Sequence, residues 1–230
     1  MSDPAQPAAP TAALADAVVR LSLPLRLAPP GMVPLVPGRS VAGRAAPVTH
    51  AGSVDAFLHV IEDAEPGAVL VVDNGGRDDE ACVGDLVALE LRDAGFAGAV
   101  IWGRHRDTAQ LRRIGLPVWS TGAFPAGPRR APSAGPPSIA AVLAGIAVTP
   151  EDLVVADDDG VILLAPDRRE EVIEVARGIA AAEAEQARRM EAGSSLRSQL
   201  DFAGYRARQA TDPALTLRRH LAERGGAVET

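Results

Sequence analysis

Three residues near the middle of the chain have types and spacing suited to chemistry: Asp85 and, twenty-one positions later, the pair Arg106-Asp107. A guanidinium can grip a carboxylate through two parallel hydrogen bonds, and an aspartate is a hard oxygen donor for a divalent cation. The segment that joins them, GDLVALELRDAGFAGAVIWGRHRD, reads as a helix followed by a buried strand. The strand fixes the backbone while its end opens to solvent, so the charged pair falls where a site can form. Spacing alone is a weak signal, and each residue has a plain alternative. Asp85 can be a solvated helix charge, Arg106 and Asp107 a surface ion pair, or Asp107 the cap of a helix starting at Thr108. Gly84 would cost about 1 kcal/mol relative to alanine inside a helix. It therefore marks either a close backbone approach or a helix that begins near it, with free N–H groups facing an anion. Alternation places His105 on the face opposite Arg106, and it is assigned no catalytic role.

The elements that must hold these residues follow from periodicity. Residues 1–11 are rich in Pro and Ala and are expected to be disordered. A short helix is predicted over Ala12 to Leu21, then an ordered loop from Pro24 to Gly38. A second helix, N-capped by Ser53, carries Val54, Phe57, Leu58 and Ile61 and ends at Pro66-Gly67. Strands Ala68 to Val72, Ala99 to Trp102 and Leu116 to Ser120 alternate with helices from about Glu80 to Ala94 and from Thr108 to Ile114. This βαβαβ order implies parallel strands with helical crossovers. Ile146 to Thr149, Leu153 to Ala156 and Val161 to Leu164 are short strands with tight turns between them, which suggests antiparallel sheet or barrel. A long helix from Arg168 to Ala192 follows, and another begins at Asp212-Pro213 and reaches about Glu223. These tail helices suit packing on a neighbouring subunit.

Two further motifs have plain readings. The turn Asp73-Asn74-Gly75-Gly76 lacks GxGxxG, and the helix expected after it opens with Arg77, Asp78, Asp79 and Glu80. Its carboxylates would compete with a pyrophosphate, so neither a nucleotide nor an S-adenosylmethionine site is expected. Asp157-Asp158-Asp159-Gly160 lacks the spacing of a calcium loop and reads as a hairpin turn.

Composition narrows the classes. The chain has 230 residues, 47% of them hydrophobic, enough for one core with terminal extensions. Thirty acidic residues against 23 basic give a net charge of -7, which repels the phosphates of a nucleic acid. Only 3% of residues are aromatic, so little is available for stacking on bases. The single cysteine, Cys82, excludes an intrachain disulfide and a Cys-rich zinc site, and the four histidines show no HExxH spacing. No apolar run reaches the roughly 18 residues of a membrane span, and the N-terminus lacks a secretory signal, so a soluble cytoplasmic protein is expected. The sequence contains no lysine, which removes Schiff-base chemistry.

The segments VVDNGG, EACVGDL, GAVIWGRHRD, LPVWSTG and DLVVADDDGVILLAP, in this order, resemble the RraA-like family from about Asp16 to Ala176. That family includes 4-hydroxy-4-methyl-2-oxoglutarate aldolases and related oxaloacetate decarboxylases, and Asp85, Arg106 and Asp107 meet the D-x20-R-D pattern of its aldolases. The resemblance implies an α/β fold, with a swivelling β/β/α or barrel-type domain built from parallel βαβ units, followed by C-terminal helices. A catalytic domain over 12–176 and an oligomer-packing extension over 177–230 are the expected division. It also implies a homotrimer or hexamer with sites between subunits, and a divalent cation, magnesium or manganese. By carry-over, Asp107 is the direct metal ligand and Asp85 holds a metal-bound water and serves catalysis. Arg106, with the backbone of Gly84, Asp85, Leu86 and Val87, binds the pyruvate portion of a 2-oxo acid. The implied activity is a lyase reaction releasing pyruvate. The alternative is a protein-binding regulator, since the family's namesake inhibits an RNA-degrading endonuclease. Trp102-Gly103-Arg104-His105 departs from the usual Asp-Gly and two small or apolar residues, so a larger or differently charged pocket rim is expected.

Overall fold

Apolar runs such as Val69–Val72 and Ala99–Ile101 can be buried along their whole length only in a sheet covered on both faces, and the fold provides this. The computed structural model describes residues 6–129 and 138–223. In chain order the elements are α1 (Thr11–Arg20), β1 (Val33–Pro34), β2 (Val41–Thr49), α2 (Asp55–Asp63), β3 (Val69–Asp73), β4 (Ala81–Val83), α3 (Asp85–Asp93), β5 (Gly98–Trp102), β6 (Arg104–His105) and α4 (Thr108–Ile114). There follow β7 (Val118–Ser120), β8 (Ala141–Leu143), β9 (Ile146–Val148), β10 (Leu153–Asp157), β11 (Gly160–Leu164), α5 (Arg169–Glu191), α6 (Leu196–Gln199), α7 (Phe202–Gln209) and α8 (Leu217–Glu223).

Seven strands form one sheet in the order β1-β7-β5-β3-β2-β10-β11. Strands β7, β5, β3 and β2 are parallel, whereas β1, β10 and β11 pair antiparallel to their neighbours. The two edges are brought together by a single stretch of chain. Ala28 N donates to Val161 O and Leu163 N to Arg26 O, both at 2.9 Å, while Leu35 N donates to Val118 O on β7 at 2.8 Å. The Trp119 indole N–H of β7 also reaches Asp157 O at the end of β10, 2.8 Å away. The sheet is therefore a nearly closed barrel.

Alternation along each strand divides the core. Val69, Val71, Val100, Trp119, Val154 and Leu163 face the barrel interior. Leu70, Val72 and Ile101 point the other way, under Phe57 of α2, Leu91 of α3 and Leu111 of α4. On the β10–β11 side, Val155, Ile162 and Leu164 are covered by Leu14 and Ala17 of α1 and by Val172 and Ala176 of α5.

The parallel βαβ units, the barrel and the C-terminal helices agree with expectation, but several elements differ. Strand β2 was not foreseen because Gly43, Arg44 and Pro47 break its apolar pattern. Its first half pairs with β10 and its second half with β3, so Pro47 sits where β3 is its ladder partner and its missing N–H is tolerated. The predicted helix from Glu80 to Ala94 is instead a strand, β4, followed by a helix that starts at Asp85. The turn at Asp73 to Gly76 thus leads into a strand, and no helix dipole follows it. The last helix begins at Leu217, five residues beyond the predicted Asp212 cap. Of the segment 1–11, residues 1–5 lie outside the described residues, whereas Ala9 and Thr11 are buried. Helix α5 runs unbroken across the 176/177 division.

The acidic turn between β10 and β11 is a hairpin, as read from the sequence, and also a clasp. Asp157 accepts from the Thr11 amide at 2.8 Å and from its hydroxyl at 2.6 Å, capping α1 from a distant part of the chain. Both Asp158 carboxylate oxygens accept from Gly38 N, at 2.8 and 2.9 Å.

Candidate active site

Strands β4 and β6 form a small parallel sheet of their own, pairing Ala81 with Arg104 and Val83 with His105. A bridge from His105 to Ala123 adds a third stretch of chain. Arg106 N donates to Val83 O at 3.0 Å, His105 N to Gly122 O at 3.0 Å, and Phe124 N to His105 O at 2.8 Å. The two strands are parallel, and a bulge between Ala81 and Val83 lets the three residues of β4 end level with the two of β6. Gly84-Asp85 and Arg106-Asp107 therefore emerge side by side, each at the start of a helix.

Asp107 turns the chain from β6 into α4 in the left-handed conformation, φ 59° and ψ 39°. A non-glycine residue there stores roughly 1–3 kcal/mol of strain, although Asp is among the residues that tolerate it best. Its carboxylate does not cap α4. It crosses instead to the N-terminus of α3, where Oδ2 lies 3.4 Å from Asp85 N and 3.3 Å from Arg106 Nε. The ion pair considered from the sequence is thus present, while the helix-cap reading is not met.

Gly84 makes this crossing possible. A Cβ at that position would lie 2.5 Å from Asp107 Oδ2 and 3.2 Å from Arg106 Cγ and Nε. Its backbone is extended, φ −131° and ψ −164°, so the requirement is for space and not for conformation. A Cβ at Gly127 would likewise lie 2.9 Å from Arg106 Nη1, so the guanidinium runs between two glycines. Sequence reasoning missed Gly127, because only the path of the loop after Ala123 brings it there.

The site is open. The Arg106 and Asp107 side chains are 48% and 31% exposed, and Leu86 at the start of α3 is 76% exposed. The first helical bond of α3 is Ala88 N to Gly84 O, at 3.1 Å. Of the amides before it, Asp85 N faces Asp107 Oδ2 and Leu86 N faces its neighbour's carboxylate, so the first turn already gathers negative charge as a helix N-terminus favours. Asp85 Oδ1 accepts from Leu86 N at 2.8 Å. Among the described residues, Asp85 Oδ2 and Asp107 Oδ1 accept no hydrogen bond, and no group of three or more His, Cys, Asp or Glu forms a ready-made cage. Two carboxylates beside open solvent fit a hard cation that keeps most of its water, the habit of magnesium.

The residues that depart from the family pattern do not build the rim. His105 is buried behind the site, with Nδ1 2.7 Å from Ser120 Oγ and Nε2 3.1 Å from Thr108 Oγ1. Burial, and then the charges of Arg112 and Arg104, hold its pKa below the usual histidine range. Arg104 turns its guanidinium to the Thr121 carbonyl, and the Trp102 ring packs over Gly76. Of the stretch Trp102-Gly103-Arg104-His105, expected to make the rim larger or differently charged, the Trp102, Arg104 and His105 side chains are thus turned to these other partners.

Two other polar or hollow places do not compete. His50, Asn74 and Glu80 are buried together beneath the glycine turn, with His50 Nδ1 2.8 Å from Asn74 Oδ1 and Glu80 3.5 Å from Arg77 Nε. A cavity of about 440 Å³ beside Val60, Ala64 and Ile139 includes Arg44, whose guanidinium is spent on Pro150 O.

Known proteins share this architecture. An uncharacterized protein from Pseudomonas syringae pv. tomato str. DC3000 is 28% identical with a TM-score of 0.72, covering 82% of this chain and 90% of its own. Streptomyces coelicolor RraAS2, described as an unusual member of the RNase ES inhibitor RraA protein family, is 29% identical with a TM-score of 0.65, covering 78% and 90%. A Geobacillus kaustophilus HTA426 protein named S-adenosylmethionine: 2-dimethylmenaquinone methyltransferase is 27% identical with a TM-score of 0.59, covering 69% and 96%. Residues 11–163, which contain the paired strand ends and both halves of the site, match the RraA-like description, Aldolase/RraA. The chain belongs to the RraA-like family.

Proposed function

We propose that this chain is a divalent-metal-dependent carbon–carbon lyase acting on a 2-oxo acid. It would release pyruvate by retro-aldol cleavage of a substrate like 4-hydroxy-4-methyl-2-oxoglutarate, by decarboxylation of oxaloacetate, or by both. The observation that supports it is the convergence of Asp107 and Arg106 on the N-terminus of α3, across the space left by Gly84. Magnesium or manganese held by Asp107 would supply Lewis acidity to the keto oxygen when bound. Arg106 grips the carboxylate of the 2-oxo acid and adds positive charge where the enolate develops, and the backbone of Gly84 to Val87 orients the same group. Asp85, at the mouth of the site, takes the proton of a 4-hydroxyl through a water as the carbon–carbon bond breaks. In decarboxylation carbon dioxide leaves in place of the carbonyl fragment and no hydroxyl proton is taken; in both reactions the electron pair of the broken bond forms the enolate, which a proton from water converts to pyruvate. Exposed Leu86 and the open rim suit closure by a second copy of the chain in a homotrimer or hexamer.

A second reading follows from the likeness to the Streptomyces protein: a protein-binding regulator of an RNA-degrading endonuclease, without lyase activity. The methyltransferase name of the Geobacillus protein has no counterpart here, since the Gly75-Gly76 turn opens into strand β4 and not into the helix that a cofactor phosphate or carboxylate would cap. Pyruvate release from both substrates, measured with magnesium, with manganese and with chelator, separates the readings. Metal-dependent release that falls at least a hundredfold in Asp107→Ala supports the lyase. Release unchanged in that variant removes the role given to Asp107, and release absent altogether with an endonuclease retained on the immobilised protein reverses the ranking.

A further inference from the structure

We infer that His105 is a positioning residue for Asp107, acting as a strut that holds the 105–108 bend against the main sheet. This rests on the metal-binding role proposed for Asp107. The backbone of His105 lies in the middle of the three-stretch sheet, bonded to Gly122 on one side and followed by the Arg106 bond to Val83 on the other. Its side chain leaves on the opposite face from Arg106 and is buried. There the imidazole spans two elements. Nδ1 meets Ser120 Oγ at the end of β7, at 2.7 Å, and Nε2 meets Thr108 Oγ1 on the first residue of α4, at 3.1 Å. Ser120 Oγ is itself fixed by accepting from Gly122 N at 3.1 Å, so the strut is anchored at its far end. Each ring nitrogen faces a hydroxyl able to donate or accept, so a neutral ring is satisfied at both ends despite its burial.

Asp107 lies between the two points that the ring ties down, His105 and Thr108. It holds a left-handed backbone, and its own side chain makes no cap bond that would lock the bend, because the carboxylate is committed to the Gly84-Asp85 side. Strained backbone of this kind persists only where its surroundings over-determine it. The imidazole supplies that constraint by tying Thr108 to the end of β7. An apolar residue of similar size would fill the same volume but leave Thr108 untied, and the carboxylate would lose its fixed direction. Residues that orient a metal ligand in this indirect way typically change metal affinity by about 10–100-fold when removed.

The test uses the full chain and three variants: His105→Leu, which keeps volume; His105→Gln, which keeps one polar reach; and Thr108→Val, which cuts one link at nearly constant shape. Binding of Mn²⁺ alone is followed by electron paramagnetic resonance of the free ion. Amide exchange is followed at Leu111, whose N–H donates to Asp107 O. For His105→Leu we expect the Mn²⁺ dissociation constant to rise about tenfold. Leu111 exchange should accelerate and the metal activation constant rise, with little change in kcat at saturating metal. Thr108→Val should show a smaller shift in the same direction, and His105→Gln a partial recovery. A folded His105→Leu with Mn²⁺ affinity and Leu111 exchange within about twofold of wild type overturns the inference. If His105→Leu does not fold, Thr108→Val decides by the same two readings. If the wild-type chain binds no Mn²⁺, the metal reading fails with it, and Leu111 exchange alone decides whether His105 holds the bend.

Discussion

At the β10–β11 turn, Asp157 and Asp158 spend their carboxylates on the protein's own groups, the Thr11 amide and hydroxyl and the Gly38 amide. At the ends of β4 and β6, Asp85 and Asp107 each keep an oxygen without a hydrogen-bond partner among the described residues, beside an exposed guanidinium. Both regions are acidic, both lie at strand ends, and both draw residues far apart in sequence together. What separates them is commitment. The first closes a helix onto a hairpin, and the second leaves charge facing solvent at a helix N-terminus. An acidic cluster becomes a candidate site when the fold declines to use it, and the number of carboxylates has little to do with it.

The contrast can be sharpened by mutation. Arg106→Lys keeps the charge but loses the planar fork, and pyruvate release at fixed metal should fall about 10²–10³-fold with the melting temperature nearly unchanged. Gly84→Ala should lower release about thirtyfold, since its methyl group must displace the Asp107 carboxylate, and misplacement of this order is costly to catalysis. Native circular dichroism should be retained, as the displaced side chains are partly exposed.

The committed carboxylates should respond the other way, in stability and not in turnover per folded molecule. Asp152 is buried and receives Arg26 at 2.6 and 2.8 Å and Thr149 N at 2.8 Å. Burial raises its pKa, but the bonds from Arg26 and Thr149 outweigh burial and hold it below the usual carboxylate value. A depressed folded pKa contributes stability above the unfolded value, about 3.9, and loses it as pH falls through the folded value. Asp152→Asn should therefore cost roughly 1–2 kcal/mol in urea unfolding at pH 7, and the gap from wild type should narrow progressively below about pH 4. Asp157→Ala, which uncaps α1, should cost about 1 kcal/mol in the same measurement. A turnover loss in Asp157→Ala as large as in Gly84→Ala would erase the distinction between the two regions.

Much of the barrel was legible because its strands are buried on both faces: Val69–Val72, Ala99–Ile101 and Val161–Leu164 are unbroken apolar runs. Strand β2 was not, since Gly43 and Pro47 serve a strand that changes partner half-way. The three residues of β4 were absorbed into the following helix, because a strand of that length carries too little periodicity to separate from one helical turn. The juxtaposition of Asp85 with Arg106-Asp107 came from spacing and resemblance, and Gly84 signalled close approach by being a glycine in an otherwise helical pattern. Gly127 and the bracing of Thr108 by His105 and Ser120 carried no such signal, for they depend on where a loop and a strand end meet in space.

The joining of the two barrel edges by residues 26–35 has a kinetic consequence. The chain that closes the barrel is made early, but its partner, β11, is made late, and the Thr11–Asp157 clasp spans 146 positions. During synthesis, the inward faces of Val69, Val71 and Val100 stay uncovered until the β10–β11 hairpin has emerged. Contacts so distant in sequence make closure a slow step, and a chain stalled before residue 164 exposes both an apolar sheet face and an unpaired β2 edge. Barrel closure is thus the step that covers this apolar face, and the burial of Trp119 against Asp157 provides a fluorescent marker of its completion.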